Sequence, residues 1–163
     1  DCIDLFALQQ PVASDLRFVA GSFKIITDLE RIGDLAANFG RYTLVARREE
    51  ALDVDLETIG DRSRALVADA LDAYGTGDEE ACRRIVARDD EIDALCQTAS
   101  QRLVRDLIEH GTTEDGRWAV EQSLDDVTRV LLSIRDLERV ADHGANVAAR
   151  TLYVVEGETE LIY

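Results

Sequence analysis

Glu30 and Asp34 stand four residues apart in the stretch ITDLERIGDLAANF, and Glu138 and Asp142 repeat the spacing in IRDLERVADHGANV. On a helix, residues four apart differ by about 40° around the axis, so both carboxylates of each pair face one way. Asn38 and Asn146 extend each row by another turn. Neighbouring carboxylates repel by roughly a few tenths of a kcal/mol, so a repeated pair calls for compensation. A metal ion supplies it. Rows of oxygen donors are candidate ligands for magnesium, manganese, calcium or iron, with zinc as a further option. Arginine salt bridges on a solvated face are the alternative. A Glu-x-x-x-Asp pattern arises often by chance, and its duplication at equivalent positions is the stronger signal.

Other groups offer less. Asp89 and Asp93, in DDEID, form a further pair with ligand spacing, or a solvated face. Asp28 and Asp136 lie about 200° from the neighbouring glutamates and are expected to pair with Arg31 and Arg139 instead. His143 follows Asp142 but points about 100° away, and Leu35 replaces it in the first stretch, so it is a weak ligand candidate. His110 fits a helix end, where a cation is favoured, and Trp118 fits packing. The Glu-x-x-His spacing of di-iron bundles is absent, which argues against oxygen chemistry. No Ser/His/Asp or Cys/His set suggests a nucleophile, and no enzyme is expected.

The elements that position these groups are helices. Among 163 residues there is one proline, while Ala, Leu, Arg and Glu abound, so an all-α fold is expected. Leu16, Val19, Phe23, Ile26, Ile32 and Leu35 recur at helical spacing and predict a helix over about 12–48, with Ser14 or Asp15 in its first turn. A second helix is predicted over about 54–75, ending at Gly75-Thr76-Gly77, and Asp78 caps a third that Gly111 closes. Thr113 caps the last, over about 114–155, before Gly157 releases the tail ETELIY. No strict heptad is sustained, and short connections make antiparallel up-down packing the default.

Charge narrows the partners. The net charge is −16, which disfavours nucleic acid. Lys24 is the only lysine, and acid excess with so little lysine suggests a salt-rich cytoplasm, where repulsion is screened. Cys2, Cys82 and Cys96 form no CxxC pair and are expected to be reduced, mostly buried side chains. No apolar run approaches the roughly 18 residues of a membrane span, and no signal peptide is visible.

Residues 28–45 and 136–153, offset by 108, share nine identities in eighteen. Hydrophobic patterning alone would repeat the leucines, not Asp-Leu-Glu-Arg and the later Asp and Asn. The second motif helix follows two predicted helices, whereas the first follows only residues 1–10. A lone motif helix leaves its apolar stripe uncovered. The expectation is that about two helices of a first bundle lie outside the chain, or that a partner supplies them, and that homo-oligomers form.

These pieces resemble the PhoU family of phosphate-uptake regulators. LQQPVASDLR is similar to the join between the family's second and third helices. DLERIGDLAAN and DLERVADHGAN are similar to the signature of its third and sixth helices, and VVEGE is similar to the stretch after the sixth. The resemblance implies tandem three-helix bundles: residues 1–50 as the C-terminal part of a first unit, and 51–163 as a complete second. It implies surface iron or other metal at Glu30, Asp34, Glu138 and Asp142, with Asn38 and Asn146 matching the family's trailing asparagine. It further implies a cytoplasmic, non-catalytic regulator that meets the membrane only through partners. Those are the ATPase subunit of the phosphate ABC importer and, in bacteria, a sensor kinase. A PhoU-like module of a different transporter, or a purely structural bundle, is the alternative.

Overall fold

The computed structural model describes residues 13–45, 54–110 and 117–157. Four helices account for them: α1 (Ala13–Val45), α2 (Leu56–Thr76), α3 (Glu79–His110) and α4 (Arg117–Glu156). The described residues contain no strand, and the all-α expectation holds. Each predicted helix is present within three residues at every end. Cys2, Pro11, Gly111, Thr113 and the ETELIY tail lie outside the described residues.

Local chemistry sets the boundaries. Asp55 accepts the Thr58 N–H at 2.9 Å and the Thr58 hydroxyl at 2.6 Å, which starts α2. Gly77 ends it in the left-handed region (φ 68°), its N–H bonded to Ala73 O at 2.8 Å. Asp78 then accepts the Ala81 N–H at 2.9 Å and starts α3, as its position in the sequence predicts. Gly157 (φ 79°) donates to Tyr153 O at 3.0 Å and closes α4.

Helices α2, α3 and α4 enclose one core, in which Leu66, Leu103, Ile134 and Leu152 are fully buried. Each such side chain contributes about 1.5–3 kcal/mol. Gly144 lets α4 approach α2 closely, because a Cβ there would lie 2.5 Å from Leu66 Cδ2 and 3.0 Å from Val67 Cγ2.

Helix α1 packs its length on the opposite side of α4, and near its start it also touches α2, where Phe18 and Ser22 meet Tyr74. Helices α1 and α4 run antiparallel, with Gly21 against Val154, Asp28 against His143 and Tyr42 against Asp136. Buried positions Gly21, Ile25, Asp28 and Leu35 recur at spacings of four, three and seven. The seam is thus heptad-like, which the sequence pattern hides because a glycine and an aspartate occupy core positions.

The predicted apolar stripe of α1 is only partly buried. Val19 and Leu35 are buried, but Leu16, Phe23 and Ile26 are exposed. The repeat explains why. Ile26 is 56% exposed, whereas its counterpart Ile134 is 1% exposed; Leu44 and Leu152 stand at 87% and 2%. The face that α4 buries against α2 and α3 is bare on α1.

Candidate metal centre

Asp89 and Asp93 lie one turn apart on α3, and Glu138 and Asp142 one turn apart on α4. Helical packing brings the two pairs together. Asp89, Asp93 and Asp142 each offer a carboxylate oxygen within 4.8 Å of the others. Glu138 belongs to the same field, its carboxyl raised first by burial and then by Asp93 and Asp142. Burial, with Asp142 and Asp93 behind it, pushes Asp89 up to about 7. Asp93 is raised by burial and by Asp142, and Asp142 by burial, against which His143 and Arg139 act.

Asp89 Oδ1 and Asp93 Oδ1 are buried and make no hydrogen bond. Buried carboxylate oxygens ordinarily have partners, so this pair fits a cation. The donors within reach are oxygens only. Cys96 lies beneath, its thiol pushed up to about 12 by burial and then by Glu138. An oxygen set suits magnesium, manganese, calcium or iron better than zinc.

Each pair was visible in the sequence, but their meeting was not. Asp89 lies 21 residues before the end of α3 at His110, and Glu138 lies 21 residues after the start of α4 at Arg117. Equal depth on either side of one connection is the signal that could have joined them.

The first row differs. Glu30 and Asp34 are exposed on α1, and among the described residues no third acidic or histidine ligand joins them. Asn38 leaves the row: its Nδ2 donates to Asp136 Oδ2 at 3.1 Å across the seam. Asn146 is half-buried on α4.

Asp28 and Asp136 are outside the metal rows, as expected; Asp136 keeps its expected partner Arg139, with further donors from α1, whereas Asp28 takes partners other than Arg31. Asp28 is buried and meets His143 and Arg150 of α4, not Arg31. Burial holds the His143 imidazole below its usual pKa, helped by Arg31 and Arg139, so a neutral ring donates Nδ1–H to Asp28. Asp136 accepts from Tyr42 Oη at 3.0 Å and keeps Arg139 only at 3.9 Å. An i, i+3 rule sees one helix, and these aspartates face another. Cys82 and Cys96 are free and buried, as predicted. The His110 and Trp118 side chains lie outside the described set.

The family model described as PhoU domain matches residues 1–43 and 56–151. The chain belongs to the PhoU family. It is 34% identical over 160 residues to the phosphate-specific transport system accessory protein PhoU homolog of Pseudomonas putida, covering 96% of this chain and 59% of that protein. To the homolog from Clostridium acetobutylicum it is 30% identical, covering 96% and 68%. It therefore spans about three fifths of the Pseudomonas putida relative's length. The crystal structure of PhoU from Pseudomonas aeruginosa superposes with a TM-score of 0.85 at 29% identity, covering 96% of this chain and 72% of that one. That of the phosphate transport system regulatory protein PhoU from Streptococcus pneumoniae gives 0.82 at 29%, covering 97% and 70%. The PhoU fold implied by the sequence motifs is thus the fold observed. No described helix is long and apolar enough to cross a membrane.

Proposed function

We propose that this PhoU-family chain is a non-catalytic regulator of phosphate uptake that docks on the phosphate importer. The observation that carries the reading is the family match over nearly the whole chain, to relatives named as accessory proteins of phosphate-specific transport. The partner is the importer's ATPase subunit, met at the cytoplasmic side of the membrane, with a sensor kinase as a further partner in bacteria. Residues 1–50 act as part of a first unit and 51–163 as a second.

Asp89, Asp93, Glu138 and Asp142 hold a divalent or trivalent ion when one binds, and the ion supplies positive charge that offsets their mutual repulsion. The side chains do the positioning: α3 and α4 are fixed to each other through the row, and the outer face of the bundle stays in a binding-competent shape. Glu30 and Asp34 form a second, more open row. The orphaned oxygens of Asp89 and Asp93 support this role for the α3–α4 row.

The test is affinity capture of the tagged protein at its native length, from source cells grown in high and in low phosphate and lysed at native salt. Recovery of the importer ATPase, changing with phosphate, supports the reading. Recovery of a different transporter in its place sinks it.

A further inference from the structure

Two buried aspartates cross the α1–α4 seam in reciprocal fashion. Asp28 of α1 meets Arg150 of α4, and Asp136 of α4 meets Tyr42 of α1. Asp28 and Asp136 are repeat counterparts, and so are Tyr42 and Arg150, each pair offset by 108 residues. In both directions an aspartate meets the residue fourteen positions on in the other repeat. The seam is therefore a two-fold contact between two copies of one helix, folded into a single chain.

The two clasps are built from different chemistry. Arg150 brings a cation to Asp28, and the His143 Nδ1–H adds a bond at 3.1 Å. Asp136 receives two neutral donors, Asn38 at 3.1 Å and Tyr42 at 3.0 Å, while Arg139 of its own helix stands 3.9 Å away. Both carboxylates accept charge-assisted bonds, but only at Asp28 is the donor itself a cation, so ion-pair attraction adds to the hydrogen bonding there. Asp136 also has a fallback that needs nothing from α1, because Arg139 moves with it on α4.

Packing is graded in the same direction. The N-terminal half of α1 is held by α4 and also reaches α2: the Phe18 ring stacks on Tyr74 with centroids 6.5 Å apart, and Ser22 Oγ lies 2.7 Å from Tyr74 Oη. Past Asn38, α4 is the packing partner, and Leu44 is largely exposed.

We propose that the seam is a two-strength lock, anchored at Asp28 and releasable at Asp136, so that α1 opens from its C-terminal half. Opening uncovers Asp136 and the face of α4 beside Arg135 and Arg139, and leaves the α2–α3–α4 core closed. A partner can then displace residues 38–45 without unfolding the bundle. Asn38 and Tyr42 are positioning residues in this scheme, and it holds whether or not the acidic rows carry metal.

Amide hydrogen exchange, resolved along α1 in the full chain, tests it, with circular dichroism confirming that each variant keeps its helices. Tyr42→Arg gives Asp136 the cation that Asp28 already has. Amides over 36–45 should exchange several-fold more slowly, and those over 20–30 should hold their rates. Asn38→Ala with Tyr42→Phe removes both neutral donors. Exchange over 36–45 should rise roughly ten-fold, again with 20–30 unchanged. Arg150→Lys keeps a charge but loses the guanidinium fork, and it should act on 20–30. If both halves of α1 respond together in every variant, the seam opens as one unit and the proposal is wrong. If 36–45 responds to none of them, the Asp136 clasp restrains nothing and the proposal is equally wrong.

Discussion

His143 Nδ1 lies 3.1 Å from Asp28 Oδ1, turned into the seam and away from the carboxylate of its sequence neighbour Asp142. That orientation separates two systems that share α4. One face of the helix carries acid toward α3; another carries the donors that satisfy Asp28. Asp28 is 2% exposed, so losing its carboxylate leaves the half-buried Arg150, whose Nε and Nη1 are shut off from solvent, without its counter-charge. Asp28→Ala should destabilise the chain by about 3–5 kcal/mol, read from urea unfolding monitored by circular dichroism. Asp34→Ala, at an exposed position six residues on, should change stability by less than about 0.5 kcal/mol.

The α3–α4 row predicts a pH dependence of defined sign. Asp89 has a folded-state pKa raised from 3.8 to about 7 by burial and then by Asp142 and Asp93. Between those values the folded chain keeps a proton that the unfolded chain has lost. The Asp89 contribution to stability is therefore greatest below about pH 4 and declines as pH rises toward 7. Thermal melts of metal-free protein should show Asp89→Asn gaining on the parent chain across that interval, with the gain levelling off above it. A gap that stays flat from pH 4 to 7 would contradict the raised value.

Added cation should reverse that penalty at neutral pH. Manganese(II) at tens of micromolar to millimolar concentration should raise the melting temperature of the parent chain at pH 7.5, and release protons as it binds. Glu138→Gln with Asp93→Asn should abolish most of the rise. Glu30→Gln with Asp34→Asn should leave most of it, because α1 offers no third ligand among the described residues. Isothermal calorimetry on the same variants checks the stoichiometry. Equal loss from both pairs would mean that α1 binds as strongly as the α3–α4 row.

The sequence made much of this legible, and the limits have physical causes. Helix ends were readable because caps are local: Asp78 and Gly77 act within four residues of themselves. The acidic pairs were readable because four-residue spacing fixes a shared face. Helix pairing was not local. Asp28 next to Arg31 looks like an intrahelical ion pair, and only the α1–α4 seam shows that Arg150 takes its place. Asn38 looked like a third row member for the same reason. The exposed state of Ile26 also could not be read, since the same stripe on α4 is buried and the two sequences share the residue type.

That difference between equal residues is itself testable. Ile134→Ala removes a side chain from a closed core and should cost about 2–5 kcal/mol. Ile26→Ala, the same change in the same motif, removes one from a bare face and should cost less than about 0.5 kcal/mol in this 163-residue chain. Urea midpoints at constant slope measure both. A large loss at Ile26 would mean that the α1 face is covered in solution, and sedimentation of the parent chain would then show an assembly larger than a monomer.

Gly144 and Gly33 pose opposite cases on helices of the same motif. A methyl group at Gly144 would collide with Leu66 Cδ2 at 2.5 Å and crowd the Val67 backbone, Cα 3.3 Å away. The side chain can yield, but the α2 backbone yields only by separating the helices. Gly144→Ala should therefore lower stability by about 1–3 kcal/mol despite the better helix propensity of alanine. A Cβ at Gly33 meets nothing within 4 Å, so Gly33→Ala should gain up to about 1 kcal/mol from propensity alone. Thermal unfolding of the two variants beside the parent decides it. If both substitutions stabilise, the α2–α4 approach is looser than these distances show. If both destabilise, something packs against α1 at Gly33 in solution.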